Sequence, residues 1–231
     1  MHKLGLIGGL SWTSTARYYQ IINQAVYRTK GGQHSAPLVI ESLDFADIGR
    51  STTEEEWAHA TEVLTASARR LEQAGAKALL ICANSMHRVH DEVQAGVDTP
   101  IIHIADAVGR KMKADGVQRA ALIGTRNVMT EKFYRQRLVS HGISLLPPDM
   151  DLAERIDRIV YEELTIGKVS RDSERYMRSE LTDIAKQNVQ AAILACTELE
   201  MIVDVKANVL PIYDGTAIHA RAGVDLILAE G

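Results

Sequence analysis

The chain contains little cysteine, proline or phenylalanine. Its 231 residues include two cysteines, five prolines and two phenylalanines. The cysteines, Cys82 and Cys196, lie far apart and form neither a Cys-x-x-Cys pair nor part of a Cys/His cluster at zinc spacing. This spacing argues against a disulfide framework and against a structural metal site. We therefore expect no bound metal.

The chain also lacks long apolar runs and a large excess of charge of either sign. Its apolar runs are too short to cross a bilayer, and the N-terminal stretch MHKLGLIGGLSW has no cleavable signal pattern. A formal net charge of −4 and a pI of about 6.1 give no electrostatic reason to expect nucleic acid or a membrane surface as a partner. These absences predict a cytoplasmic protein with reduced thiols.

The chain does contain a regular alternation of short β-rich runs and long amphipathic stretches. This alternation predicts βαβ units and an α/β fold class, with two pseudo-symmetric Rossmann-like halves, each a parallel sheet flanked by helices. We expect the first half to comprise residues 1–103 plus 212–231, and the second half residues 104–211. A fourth strand of the first half is expected in TPIIHIADA, residues 99–107.

An internal repeat links the two predicted halves. LGLIGGLSW matches AALIGTRNV, with Gly8 and Gly124 in register. AKALLICANSM matches VQAAILACTEL, which aligns Cys82 with Cys196. Because open α/β sheets bind ligands at the carboxyl ends of their strands, we expect the two cysteine segments to form the ligand site.

Hydrogen-bonding side chains follow each cysteine. Asn84 and Ser85 follow the first cysteine, and Thr197 and Glu198 follow the second. Two thiols facing opposite sides of a carbon acid can remove a proton from one face and return one to the other, which inverts the centre without a cofactor. The alternative is that both cysteines are small core hydrophobes, as most free cysteines are.

Six motifs, spread in order over essentially the whole chain, carry a resemblance to a known family. They are GLIGGLSW, LDFADI, CANSMH, YEEL, ACTE and DGTAIHA. With them the sequence resembles the cofactor-independent aspartate/glutamate racemases, and in particular their broad-specificity amino-acid racemase members. The resemblance implies a small amino-acid substrate, no cofactor, a homodimer, and an active site in the cleft between two pseudo-symmetric halves.

The first cysteine motif departs from the family pattern at Ala83. In the family, the residue just before the motif asparagine is the first acid/base, usually cysteine and in some members threonine. Here Ala83 holds that position, and Cys82 lies one residue earlier. Because side chains alternate along a strand, an unbroken strand would turn Cys82 away from the face of residue 83. The resemblance thus makes Cys196 the acid/base of one face, Ala83 the position of the lost partner, and Cys82 a weak third candidate.

The resemblance also indicates which residues bind the substrate. The candidates lie in the glycine turns, the loop after LDFADI and the two cysteine motifs: Leu10, Ser11, Arg50, Thr52, Asn84, Ser85, Thr125, Thr197 and Glu198. Aspartate-specific members often carry a lysine where Thr165 stands, so we expect a broader substrate range. Glu198 either assists the second cysteine or caps a helix.

Several readings of Ala83 remain open. The chain could be a one-base enzyme, or a relative that binds amino acids without inverting them. The alanine could also have been introduced into a threonine- or cysteine-containing parent to silence it. A related decarboxylase or maleate isomerase is a further possibility.

Overall fold

The structure is a computed structural model that describes residues 1–229. By their internal contacts the described residues form two compact units. The first consists of Met1–His103 and the chain from His219 onward, and the second of Ile104–Ile218. The strands, in chain order, are β1 (Leu4–Gly8), β2 (Leu38–Ser42), β3 (Ala78–Ile81), β4 (Arg119–Gly124), β5 (Ser144–Leu145), β6 (Ala191–Ala195) and β7 (Ile212–Asp214).

The helices separate these strands as the alternation predicts. They are α1 (Trp12–Lys30), α2 (Phe45–Ile48), α3 (Glu54–Gln73), α4 (His90–Gln94), α5 (Ile104–Ala114), α6 (Arg126–Thr130), α7 (Lys132–Ser140), α8 (Met150–Glu162), α9 (Arg171–Ala185) and α10 (Gly215–Leu228). Short 3₁₀ helices occupy Ser85–Val89, Leu164–Ile166 and Thr197–Met201. Within the described residues, none of the helices is both long and apolar enough to span a membrane.

The two sheets repeat one topology, which confirms the predicted fold class. The first sheet has the strand order β2-β1-β3 and the second the order β5-β4-β6-β7, and all their pairings are parallel. The central strands β1 and β6 are buried along their whole length, and the third central strand, β4, is buried in all but its first residue. Apolar clusters cover both faces of each sheet, which is why these strands read as continuous apolar runs rather than alternating ones.

The expected fourth strand of the first half is wrong. In residues 99–107 only Ile101 pairs with the sheet, through a single bridge to Leu79. Leu79 donates to the Pro100 carbonyl and accepts from the Ile102 amide, and α5 begins two residues later, at Ile104. Pro100 has no N–H to donate, and the helical pattern from Ile104 ends the extended chain.

The return to the first unit comes later than residue 212. Ile212–Asp214 pairs with β6 and therefore belongs to the second sheet. The first unit resumes at His219, inside α10. Three residues of that helix, Ala220, Val224 and Ile227, lie in the apolar cluster that covers one face of the first sheet. The strand motif thus belongs to the second unit, whereas most of the helix that follows it belongs to the first.

Local sequence explains where the two long helices of the first unit begin. The Ser11 side chain accepts from the Ser14 amide at the start of α1. Thr53 and Glu56 form a capping box at the start of α3, in which each side chain accepts a hydrogen bond from the other residue's main chain. These caps satisfy amides that would otherwise lack partners, and so set where each loop after a strand ends.

Candidate active site

In the second unit, Cys196 and Thr125 leave the carboxyl edge of the sheet from adjacent strands. The register of β4 with β6 ends at the pair Gly124 and Ala195, and Thr125 and Cys196 are the next residue of each strand. A Cβ on Gly124 would lie 2.8 Å from the Ala195 carbonyl oxygen. Glycine is therefore needed for the strand ends to approach this closely.

The Cys196 thiol is held by a buried carboxylate. Its Sγ donates to Glu198 Oε2 at 3.1 Å, and the two residues are only 6% and 9% exposed. Burial raises the pKa of the Cys196 thiol well above its usual range, and the charge of Glu198 raises it further. At rest the thiol is protonated and its proton points at Glu198. This contact brings the Glu198 carboxylate within reach of the thiol proton.

The Thr125 hydroxyl is available to a ligand. Thr125 is 9% exposed, and its Oγ1 is buried with no hydrogen-bond partner. Buried polar atoms are normally paired, and this hydroxyl has no partner among the described residues. The neighbouring Arg126 amide is already taken by Asp157 Oδ1 at 2.7 Å. Thr197 is half-buried and begins a 3₁₀ helix.

In the first unit, Cys82 and Ala83 lie on opposite faces of the sheet. Strand β3 ends at Ile81, yet the Cys82 amide still donates to the Ile7 carbonyl at 2.9 Å, so the extended chain continues by one residue. Cys82 is fully buried in the cluster that contains Leu80, whereas Ala83 packs against the cluster that contains Ile81. The predicted alternation is thus confirmed.

The surroundings of Cys82 disfavour a role in proton transfer. Burial alone raises the pKa of its thiol far above the usual range. Its Sγ has a long contact of 3.9 Å with the Leu80 carbonyl oxygen, and no carboxylate partner is recorded for it. In the part of the chain that the structure describes, Cys82 behaves as a small core side chain.

Asn84 presents an unpaired polar atom beside Ala83. Asn84 is 6% exposed, and its Oδ1 is buried without a hydrogen-bond partner. Ser85 is half-buried at the start of the 3₁₀ helix. His87 Nδ1 lies 2.9 Å from the Ala83 carbonyl oxygen. This histidine is therefore bonded to the main chain of the motif that it follows.

The two candidates of the first glycine turn serve local structure. Leu10 is buried in the core cluster of the first unit. The Ser11 hydroxyl caps α1 and lies 2.7 Å from Thr13 Oγ1. Any contact of Ser11 with a substrate would compete with these bonds.

The candidates of the loop before α3 differ in what they can offer. Arg50 is exposed. The hydroxyl and amide of Thr52 both donate to the Glu56 carboxylate, which commits this residue to the start of the helix. Between them Ser51, which the sequence analysis missed, is only 2% exposed and has an unpaired Oγ. No periodicity indicates burial in such a loop, so the sequence carried no signal for it.

Titratable side chains of the described residues do not gather into a metal site. No group of three or more His, Cys, Asp or Glu is arranged to hold a metal ion in residues 1–229.

The fold and the cysteine motifs define the class of protein. The family model described as Asp/Glu/hydantoin racemase matches residues 7–223. The chain belongs to this family of racemases.

Individual relatives agree with this assignment. The chain is 41% identical to a candidate Asp/Glu racemase from Yersinia pestis, with a TM-score of 0.91 over 99% of this chain and 100% of that one. It is 31% identical to an aspartate racemase homologue from Pyrococcus horikoshii OT3, with a TM-score of 0.82 over 98% and 99%. It is also 21% identical, over 160 residues and 69% of each chain, to the broad specificity amino-acid racemase RacX of Bacillus subtilis (strain 168).

Proposed function

We propose that the chain moves the Cα proton of a small amino acid without a cofactor, and that Cys196 is its acid/base. The observation that carries this proposal is the protonated Cys196 thiol, bonded to the buried Glu198 and one strand away from the unpaired Thr125 hydroxyl. A buried group whose pKa is shifted by desolvation and by one specific charged partner is a candidate functional residue.

The proton transfers follow from this geometry. The thiol proton moves to the Glu198 carboxylate, which leaves a thiolate. The thiolate takes the Cα proton, and the electron pair of the C–H bond moves into the substrate carboxylate as an enolate-like charge. Hydrogen bonds from Thr125, Thr197 and Asn84 or neighbouring amides would stabilise that charge. Return of the proton from sulfur to the same face regenerates the starting enantiomer.

Ala83 removes the second acid/base from this scheme. Its methyl group holds no exchangeable proton, and Cys82 points to the other face of the sheet. We infer that this chain exchanges the Cα proton of one enantiomer on one face and inverts the centre poorly. The resemblance gives residue 83 the role of the second acid/base, and this inference rests on that role.

The test is to compare the chain with its Ala83→Cys, Ala83→Thr and Cys196→Ala variants on common amino acids. Inversion is followed by chiral chromatography, and Cα exchange by deuterium uptake in D₂O. We expect one-sided deuterium uptake by the unchanged chain, and inversion increased about 100-fold or more by Ala83→Cys, because one general acid/base contributes about 10²- to 10⁴-fold. Cys196→Ala should lose both activities. If the unchanged chain, Ala83→Cys and Ala83→Thr all show neither inversion nor deuterium uptake with any common amino acid, the racemase proposal is wrong.

A second candidate function follows from the same alanine. With a methyl group where an acid/base is expected, the chain could bind an amino acid without any Cα chemistry, or deliver a proton to one face after a decarboxylation or isomerisation. Saturable binding with no Cα exchange in any Ala83 variant favours the binding role. Turnover of a malonate- or maleate-like acid, without Cα proton exchange on amino acids, favours the decarboxylase or isomerase role.

We infer a broad range of small amino acids rather than strict aspartate or glutamate specificity. The Thr165 hydroxyl donates to the Tyr161 carbonyl at 3.1 Å, so it is already engaged within its own helical turn. It also lacks the positive charge that would pair with a side-chain carboxylate. Arg50 is the remaining candidate for that pairing. Since both cysteines are free thiols, we further infer a reducing compartment such as the cytoplasm.

We also propose a homodimer that uses the exposed face of α1. Trp12, Tyr19 and Tyr27 are 73%, 51% and 57% exposed, and their spacing places them along one side of the helix. Exposed aromatic side chains in a row are typical of interaction surfaces.

Light scattering after size-exclusion chromatography tests the dimer. We expect twice the mass of the 25.4 kDa chain, and a shift toward the monomer in a Trp12→Ser, Tyr19→Ser double variant. Val139→Ser, which changes an equally exposed apolar residue on another helix, is the matched control. A monomer at tens of micromolar, or the same shift in the control, contradicts the proposal.

A further inference from the structure

Four histidine side chains are buried together in the first unit. Three of them lie in the segment that follows β3, and the fourth lies in α10. His87, His90, His103 and His219 are 1%, 7%, 3% and 0% exposed. The ring centroid of His87 lies 4.8 Å from that of His103 and 5.3 Å from that of His219, in edge-to-face contact. His90 also contacts His103, at 4.8 Å. The rings pack on one another and are not arranged to hold a metal ion.

Within this cluster, His87 replaces a main-chain donor for the Ala83 carbonyl. In an α-helix the amide of residue 87 would bond the carbonyl of residue 83. Here the chain enters a 3₁₀ helix, and the His87 amide bonds the Asn84 carbonyl at 3.2 Å instead. The Ala83 carbonyl oxygen therefore lacks the main-chain donor of an α-helix. The His87 side chain donates to it instead, from Nδ1 at 2.9 Å. A carbonyl only accepts, so Nδ1 carries the proton.

The surroundings of His87 keep its ring neutral. Burial lowers its pKa well below the usual value, and the nearby His219 and His90 lower it further. The Ala83 and Ile102 carbonyls act in the opposite direction but do not outweigh these effects. A neutral ring with Nδ1 protonated is therefore the form present throughout the neutral pH range.

The neighbouring groups are themselves fixed by hydrogen bonds. His219 Nε2 lies 2.8 Å from the Ile102 carbonyl oxygen and therefore donates. Its Nδ1 then accepts from the Tyr18 hydroxyl at 2.8 Å. On the other side, His90 Nε2 lies 2.9 Å from the Ile101 carbonyl oxygen, and its Nδ1 lies 2.7 Å from Asp91 Oδ1. These bonds hold the rings around His87, so its orientation is set by packing rather than by solvent.

We propose that His87 is a positioning residue that orients the peptide between Ala83 and Asn84 for the substrate, an inference that rests on the proposed function. The peptides of the described chain are all trans, so the Ala83 C=O and the Asn84 N–H point in opposite directions. With the carbonyl held by His87, the Asn84 N–H points away from the histidine cluster.

Three variants of the native chain test this role: His87→Phe, His87→Asn and His103→Phe. Phenylalanine keeps a ring but removes the donor, whereas the asparagine Nδ2 can replace histidine Nδ1. His103 is the matched control, because it is a histidine buried to a similar degree in the same cluster, with its ring packed edge to face on that of His87. The measurements are kcat and KM for one-sided Cα exchange, amino-acid affinity by calorimetry, the thermal midpoint, and the hydrogen-exchange rate of the Asn84 amide by NMR.

We expect His87→Phe to lower kcat about tenfold or more and to change the Asn84 amide exchange rate. His87→Asn should recover most of both, and His103→Phe should change neither, even at an equal loss of thermal midpoint. Nitrogen NMR of the native chain should show His87 with Nδ1 protonated and no titration between pH 6 and 8.

Two results would overturn the proposal. One is an equal loss of kcat in His87→Phe and His103→Phe that follows the thermal midpoints. The other is an Asn84 amide that exchanges at the native rate in His87→Phe. If the native chain and its Ala83→Cys and Ala83→Thr variants all show no Cα exchange, the proposed function fails, while the amide exchange rate still decides the positioning role.

Discussion

At the scale of single residues, the two cysteines differ in their partners rather than in their burial. Both thiols are buried and both have raised pKa values. Only Cys196 contacts a carboxylate, Glu198, and only it leaves a strand beside an unpaired hydroxyl. A buried thiol without a proton acceptor is inert, so the partner decides which cysteine can react.

The carboxylate of Glu198 has a measurable effect on the neighbouring thiol. Its charge and its hydrogen bond both raise the pKa of Cys196. Glu198→Gln removes the charge, so the thiolate should form at lower pH than in the native chain. The pH dependence of iodoacetamide labelling, in a Cys82→Ala background, measures this shift.

The same change should reduce Cα exchange, because the glutamine amide cannot accept the thiol proton. Glu200→Gln, two residues further along the same 3₁₀ helix, is the matched control. An unchanged labelling profile in Glu198→Gln would mean that the carboxylate does not act on the thiol.

At the scale of elements, the turn between β1 and α1 depends on Gly9. Its φ is +77°, in the left-handed region, and a Cβ would lie 2.0 Å from the Leu43 carbonyl oxygen. Its amide donates to Thr15 Oγ1 at 2.8 Å, which ties the turn to the helix. The glycine pair that ends the GLIGG motif is therefore explained in part by this close backbone approach at Gly9.

Gly9→Ala should destabilise the protein more than Gly31→Ala. Both glycines have positive φ, but a Cβ on Gly31 would meet no atom within 4 Å. Strain alone costs on the order of 1–3 kcal/mol, which is the expectation for Gly31→Ala. Gly9→Ala adds a backbone clash with Leu43, so its loss should be larger. Urea unfolding measures both, and equal losses would show that the Leu43 segment moves aside easily.

The helices and strands were largely predictable from the sequence, but the residues at which they end were not. The alternation of apolar runs and amphipathic stretches located the strands of both sheets, because core burial imposes those periods. The pattern did not show that β3 ends at Ile81. It also did not show that, of residues 99–107, Ile101 alone pairs with the first sheet. The end of a strand depends on which backbone N–H and C=O groups lie close enough in the folded chain to form hydrogen bonds. The periodicity of apolar residues along the sequence carries no information about those distances.

At the scale of the whole molecule, the internal repeat corresponds to two units with the same strand order. The second unit is one continuous stretch, Ile104–Ile218, with its own sheet and apolar clusters. The first unit is divided, because its cluster includes Val224 and Ile227 from the end of the chain. A Cβ on Gly223 would lie 3.0 Å from the side chains of Leu4 and Leu80, so α10 packs closely on the first sheet.

A fragment of residues 104–218 should therefore fold alone, whereas residues 1–103 should not. The longer fragment retains all of its strands, while the other loses the helix that covers Leu4 and Leu80. Circular dichroism with thermal unfolding distinguishes a cooperative transition from none. Cooperative unfolding of residues 1–103 would show that α10 is dispensable for the first unit.

The sequence by itself determined the fold class, the repeat, the family and the unusual alanine at position 83. These follow from periodicity and from motif order, which are properties of the chain read along its length. Tertiary structure alone decided that Cys196 has a carboxylate partner, that Thr52 is committed to a helix start, and that His87 bonds the Ala83 carbonyl. Each of these depends on which side chain meets which polar atom at about 3 Å, and that is set by packing.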